Sequence, residues 1–136
     1  MPPARRAEIV RSAPYFPVPD VGTIGTYYRD VLGFRCEYLA GAPPEFAIYS
    51  RGASVVMFRR VQDTSLLSPN EKQGGTWDVL SWVSDLEALY EELARNGAAV
   101  VYPPTVQPYG MREFAVRDPN GYVLGFGQAL PGAEGD

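Results

Sequence analysis

The sequence predicts an α+β fold: two tandem βαβββ units forming a curved mixed sheet around a cup. Two amphipathic helices stand about 65 residues apart, roughly half the chain, which is the spacing a duplicated unit requires. Each helix opens on an aspartate and closes on a glycine, and each sits among short strand-like runs in the same order. Val18-Pro19-Asp20-Val21 leading to Gly33 matches Val83-Ser84-Asp85-Leu86 leading to Gly97.

In chain order, Ile9 to Val18 reads as the first strand. Pro14 and Pro17 remove ladder donors, so it belongs at an edge or is irregular. Val21 to Leu32 places Val21, Ile24, Tyr28, Val31 and Leu32 on one helical face. Asp20 can accept from the free N–H groups of its first turn, and Gly33 stops it. Phe34 to Leu39, Phe46 to Tyr49 and Ser54 to Arg59 read as strands, and Gln62 to Thr76 as a polar linker with Pro69, Gly74 and Gly75. Trp77 to Val83 opens the second unit. Asp85 to Asn96 follows, with Leu86, Leu89, Tyr90 and Leu93 in phase and a Ser84-x-x-Glu87 capping box. Ala98 to Tyr102, Met111 to Arg117 and Tyr122 to Gly127 complete it, the last two joined by the turn signal Asp118-Pro119-Asn120-Gly121. One domain over residues 9–128 is expected, with halves at about 9–60 and 77–128 and a linker over 61–76.

Composition narrows the chemistry. The 136 residues carry 12 basic and 16 acidic side chains, a net charge of −4, which argues against nucleic acid held by a positive field. No histidine occurs, which removes histidine-based acid–base catalysis, histidine nucleophile activation and histidine-ligated metal sites. The one cysteine, Cys36, permits no intrachain disulfide and reads as a buried, inert strand thiol. No stretch approaches the ~20 apolar residues of a membrane span. Residues 1–11 lack the apolar run of a secretory signal, so the expectation is a soluble, cytoplasmic protein with no membrane partner. The small, acidic segment from Pro131 to Asp136 is expected to fray.

Strand alternation predicts which residues line the cup. Asp78, Leu80 and Trp82 fall on one side, and Val79, Ser81 and Val83 on the helix side. The same parity turns Val55, Met57 and Arg59, then Met111, Glu113 and Ala115, then Val123, Gly125 and Gly127 inward. Phe46, Tyr49, Trp77, Trp82, Tyr102 and Tyr109 lie on strands or loops near the cup and suit a planar apolar guest, although the parity of Trp77 points outward. Gly125 and Gly127 would leave open floor, with Met57 and Met111 as adaptable walls. Asp78 and Glu113 are the inward acids, able to pair with a cationic group or to act as a general base if burial raises their pKa. The expected ligand-binding set is therefore Phe46, Tyr49, Met57, Asp78, Leu80, Trp82, Tyr109, Met111, Glu113 and Gly125.

Four stretches together resemble the vicinal oxygen chelate superfamily of glyoxalases, bleomycin-resistance proteins and dioxygenases. They are Pro14-x-x-Pro17-Val18-x-Asp20, Tyr27-Tyr28-Arg29-Asp30-Val31-Leu32-Gly33-Phe34, Val83-x-Asp85-Leu86 and Asp118-Pro119-Asn120-Gly121-Tyr122. The resemblance spans about residues 9–128 and implies the glyoxalase-like form of the fold. Enzymes of that superfamily hold a divalent metal at four positions, which fall here on Ala13, Met57, Asp78 and Gly125. A lone carboxylate cannot hold such an ion, so no metal and no other cofactor is expected. The resemblance is closest to the non-metal, bleomycin-resistance-like branch. It implies a homodimer that sequesters an aromatic or polycyclic antibiotic without catalytic residues. The alternative is a metal-independent lyase or isomerase acting on a small natural-product intermediate, with Asp78 or Glu113 as its base.

Overall fold

The computed structural model describes residues 4–132; most of the tail expected to fray, residues 133–136, lies outside them. It contains two βαβββ units. The first comprises β1 (Tyr15–Val18), α1 (Val21–Asp30), β2 (Arg35–Ala40), β3 (Phe46–Arg51) and β4 (Ser54–Arg60). The second comprises β5 (Val79–Trp82), α2 (Leu86–Arg95), β6 (Ala99–Val106), β7 (Met111–Arg117) and β8 (Val123–Ala129). The linker forms two short 3₁₀ turns, Thr64–Leu66 and Asn70–Gln73. Hydrogen bonding divides the strands into two sheets of identical order, β1-β4-β3-β2 and β5-β8-β7-β6. In each, the first strand runs parallel to the last and the remaining pairs are antiparallel.

The caps explain the helix limits. Asp20 accepts from the Thr23 N–H at 2.9 Å, and Asp85 from the Ala88 N–H at 3.1 Å. The cap of α2 is thus Asp85 and not the Ser84 of the expected capping box. Gly33 and Gly97 follow the helices with φ of 76° and 90°, a region where a Cβ is costly. The first strand is shorter than the run from Ile9 suggested: residues 4–14 are irregular, and pairing to β4 begins at Tyr15. β6 runs past Tyr102 to Val106, with register shifts flanking Tyr102 that absorb Pro103 and Pro104. Cys36 is exposed, not buried as expected, because β2 is an edge strand.

One core joins the units. Val21, Ile24, Tyr28, Leu86 and Leu93 from the helices meet Tyr49, Val56, Phe58, Phe114, Val116, Leu124 and Phe126 from the sheets. Phe16 of β1 stacks on Tyr122 with ring centroids 4.1 Å apart. The Tyr122 hydroxyl donates to the Pro17 carbonyl at 2.9 Å. Tyr28 donates to the buried Asp118 carboxylate at 2.8 Å. Arg51 clasps Glu92 through two bonds of 2.7 and 2.8 Å and also donates to the Leu32 carbonyl.

Gly25 permits α1 to approach its sheet. A Cβ there would run into the hydroxyl and ring of the buried Tyr49. Gly25→Ala is therefore expected to lower stability by about 1–3 kcal/mol despite the better helix propensity of alanine. Chemical denaturation checks this, and a stabilised variant would contradict it.

Candidate functional site

Each sheet buries one face against the helices and leaves the other free of them. On the first sheet, Ala47, Tyr49, Val56 and Phe58 face the core, which turns Phe46, Ile48, Met57 and Arg59 to the helix-free side. Register aligns Tyr15, Met57, Ile48 and Tyr38 in a row across the four strands. Phe46 meets Tyr15 and Tyr38 edge-on, each at 5.9 Å, and the Arg59 guanidinium lies over the Tyr15 ring at the same distance. Tyr49 does not belong to this face. It is buried on the opposite side with its hydroxyl against Gly25, because it lies three residues from Phe46 on one strand.

On the second sheet, Phe114, Val116, Leu124 and Phe126 face the core. Register then places Leu80, Gly125, Ala115 and Tyr102 in one helix-free row, and Trp82, Gly127, Glu113 and Thr105 in the next. The two glycines do not provide open floor. A Cβ on Gly125 would meet the Trp77 indole at 2.6 Å, and one on Gly127 would meet the Met111 methyl at 2.7 Å. Trp77 thus covers this face instead of pointing outward. It precedes β5, so strand parity does not govern it, and its indole N–H donates to the Tyr102 hydroxyl at 2.8 Å. Burial raises the Tyr102 pKa, with the Glu113 charge adding to it and the Trp77 bond opposing it.

The two candidate acids have different fates. Asp78 is committed to the fold: one oxygen accepts from the Asn70 N–H and the other from the Val123 N–H, both at 2.8 Å. This closes the linker onto β8, and Asp78 also contributes to the wall of the cleft between the units. Glu113 is 0 % exposed. Both its oxygens lie 2.7 Å from the hydroxyl of Tyr109, a residue that is itself 58 % exposed. Partial desolvation, together with the Glu113 carboxylate, pushes the Tyr109 pKa up to about 12.

The candidate residues therefore fall into two sets. Phe46 and Met57 stand on the first sheet. Leu80, Trp82, Tyr109, Met111, Glu113 and Gly125 gather on the second. A cleft of about 1100 Å³ runs between the units, and Val55, Leu80, Trp82, Leu89 and Phe126 contribute to its walls. Trp82 is 73 % exposed at its rim. The row formed by Tyr15 and Tyr38 was not anticipated from the sequence; the odd-numbered parity of β1 and the bulge in β2 that bring it together appear only in the register.

The four superfamily metal positions do not suit a divalent ion. Ala13, Met57 and Gly125 offer no hard donor, the Gly125 position is covered by Trp77, and Asp78 is left as a lone carboxylate whose oxygens each accept from an amide. No group of three or more acidic or cysteine side chains among the described residues is placed to hold a metal. No helix among them is long and apolar enough to cross a membrane.

The irregular segment 4–14 is tied across the first sheet. Arg11 donates twice to Glu37 at 2.9 Å, and Arg11 and Ser50 hold the Glu37 carboxyl at about 2, below its ordinary 4.5. A depressed folded pKa gives stabilisation that is complete above the unfolded value and fades as pH falls through the folded one. Arg11→Ala should thus lower the unfolding midpoint above pH 4.5, and the gap to the parent should close as pH approaches 2. A gap independent of pH would contradict the tie.

A sequence model described as the Glyoxalase/Bleomycin resistance protein/Dioxygenase superfamily matches residues 10–126. Among solved structures, TioX from Micromonospora sp. ML1 is 27 % identical with a TM-score of 0.71, covering 88 % of this chain and 98 % of that one. The bleomycin-binding protein of bleomycin-producing Streptomyces verticillus, solved with copper(II)-bleomycin, is 27 % identical with a TM-score of 0.65, covering 89 % and 97 %. TnmS3, an antibiotic binding protein from Streptomyces sp. CB03234, shares the fold at 20 % identity and a TM-score of 0.70, over 92 % and 99 %. No curated protein matches.

Proposed function

This chain belongs to the glyoxalase/bleomycin resistance protein/dioxygenase superfamily, and from that premise we propose that it captures an aromatic or polycyclic antibiotic without a metal and withholds it from its target. The observation that carries the reading is the helix-free face of the second sheet. There Trp77, Trp82, Tyr102 and Tyr109 stand around Leu80 and Met111, while the positions that serve metal chemistry in relatives hold no usable donor set. Flat rings gain from such surfaces, at about 0.5–1.5 kcal/mol per aromatic contact beyond area burial. The solved relatives named for bleomycin or antibiotic binding support the direction.

A homodimer is part of the reading, with residues 9–128 acting as one domain. β1 and β5 are edge strands, and Tyr15, Tyr38 and Trp82 are exposed on or beside the helix-free faces. A second copy facing them would enclose a guest that one copy leaves open. Sedimentation should then give twice the chain mass. Tryptophan fluorescence titration against a panel of polycyclic antibiotics, with growth of a sensitive host expressing the protein, tests capture. Absence of both quenching and protection across the panel defeats it.

A second reading rests on the Tyr109–Glu113 pair, the hydroxyl–carboxylate contact on the same face. Such a pair can move a proton, as a metal-independent lyase or isomerase would require. Product formed from a captured compound, and lost in Glu113→Gln, would favour it.

A further inference from the structure

Glu113 holds more acceptor capacity than the fold uses. An ionised carboxylate offers about four lone-pair sites. Here both oxygens lie 2.7 Å from one hydroxyl, which has a single proton to give. The side chain is fully buried, and among the described residues no arginine or lysine forms an ion pair with it. A buried carboxylate so thinly supplied is costly, and a further donor would relieve it. Its register partners do not supply one: the Thr105 hydroxyl, opposite on β6, is given to the Pro103 carbonyl at 2.6 Å. Gly127, directly opposite on β8, has no side chain, and the Met111 methyl occupies the space above that glycine.

The donor that is present is the one easiest to remove. Tyr109 sits in the β6–β7 loop, is mostly exposed, and touches Glu113 only through its hydroxyl tip in the hydrogen bonds found. Its ring can swing away without disturbing a strand pair. Trp77 and Tyr102 cover the neighbouring row of the same face, joined by the indole-to-hydroxyl bond.

We infer that Glu113 selects guests carrying an N–H donor on the edge of a flat ring system, and that the Tyr109 hydroxyl is a placeholder the guest displaces. The inference rests on the capture reading above and adds the chemistry of the guest to it. A ring lying between Trp77 and Tyr109 would point its edge N–H at Glu113. The bond formed would be charge-assisted, roughly twice as strong as a neutral one.

Acridone and xanthone test this, since they are tricycles of the same shape and differ by an N–H against a ring oxygen. Both would be titrated calorimetrically into the full chain, its Glu113→Gln variant and its Tyr109→Phe variant. The parent should bind acridone about tenfold more tightly than xanthone, equivalent to ~1.4 kcal/mol. Glu113→Gln should cut that ratio to about threefold or less, because the amide oxygen accepts without charge. Tyr109→Phe removes the one donor to Glu113, so urea unfolding first confirms that it folds; it should then tighten acridone by about threefold and leave xanthone unchanged. Equal binding of both tricycles by the parent overturns the inference and leaves capture standing. A tenfold ratio that persists in Glu113→Gln, or a Tyr109→Phe variant that weakens acridone, also overturns it. If neither tricycle nor any antibiotic of the panel binds, capture fails and the inference with it.

Discussion

Asp118→Ala is expected to destabilise the protein by about 3 kcal/mol or more. Asp118 is buried and serves three donors: the Tyr28 hydroxyl at 2.8 Å, the Asn120 N–H at 2.8 Å and the Tyr122 N–H at 3.0 Å. Alanine strands all three, and each buried group left without a partner costs about 1–3 kcal/mol. The position also joins the two units, because Tyr28 belongs to α1 and Asp118 to the turn before β8. Against this stands the cost of holding the carboxylate away from water. Burial raises its pKa, while the Tyr28, Asn120 and Tyr122 donors oppose the rise. A raised folded pKa makes this group's contribution greatest below the unfolded value of about 3.8, with loss as pH rises through the folded one. That offset is why the expected cost lies at the low end of the sum of three stranded groups. Urea unfolding of the parent, Asp118→Ala, Tyr28→Phe and the double variant measures the coupling. The double variant should be less destabilised than the sum of the singles, since the stranded hydroxyl is then gone. A cost below about 1 kcal/mol for Asp118→Ala would show that water reaches the site and serves those donors.

The second large effect concerns binding. Trp82→Ala should weaken capture of a polycyclic guest by about 30-fold or more while stability stays within about 0.5 kcal/mol. The side chain is exposed at the rim of the cleft, so the folded state gains little from it. A guest that covers the indole recovers the burial of a large apolar surface together with a stacking contact, roughly 2–3 kcal/mol in all. Trp77→Ala should behave differently, losing both affinity and stability, because its indole fills the space above Gly125 and donates to Tyr102. Trp77 remains as the fluorescent reporter in the Trp82 variant. Unchanged affinity in Trp82→Ala would remove that residue from the binding surface. A large fall in stability would show that it is a packing residue and not a waiting contact.

Much of the architecture was legible because it is local. Asp20 caps α1 through an amide three residues away, and Gly33 and Gly97 end the helices by the backbone freedom of glycine. The fold resemblance carried by Tyr27–Phe34 and Asp118–Tyr122 agrees with the family match over residues 10–126. Alternation also assigned sides correctly wherever a strand was regular. Leu80 and Trp82, Gly125 and Gly127, and Met111 and Glu113 share the helix-free face of the second sheet.

Where the sequence misled, the deciding partner was distant or the strand had ended. Phe46 and Tyr49 are three residues apart on one strand, so they cannot share a face, and the approach of α1 at Gly25 claimed Tyr49 for the core. The bond that ties Asp78 to a β8 amide 45 residues away could not be read from the sequence either. Trp77 lies just before β5, where alternation no longer predicts direction, and its seat over Gly125 follows from the missing Cβ of a residue far along the chain. The sequence alone determined the order of the elements, the Asp20 cap, the glycine stops and the duplication, since neighbours within a few residues dictate those. Only the tertiary structure decided which donors reach Asp78 and Glu113, because the amides that meet Asp78 come from the linker and from β8, 45 residues away, and the hydroxyl that meets Glu113 comes from the β6–β7 loop.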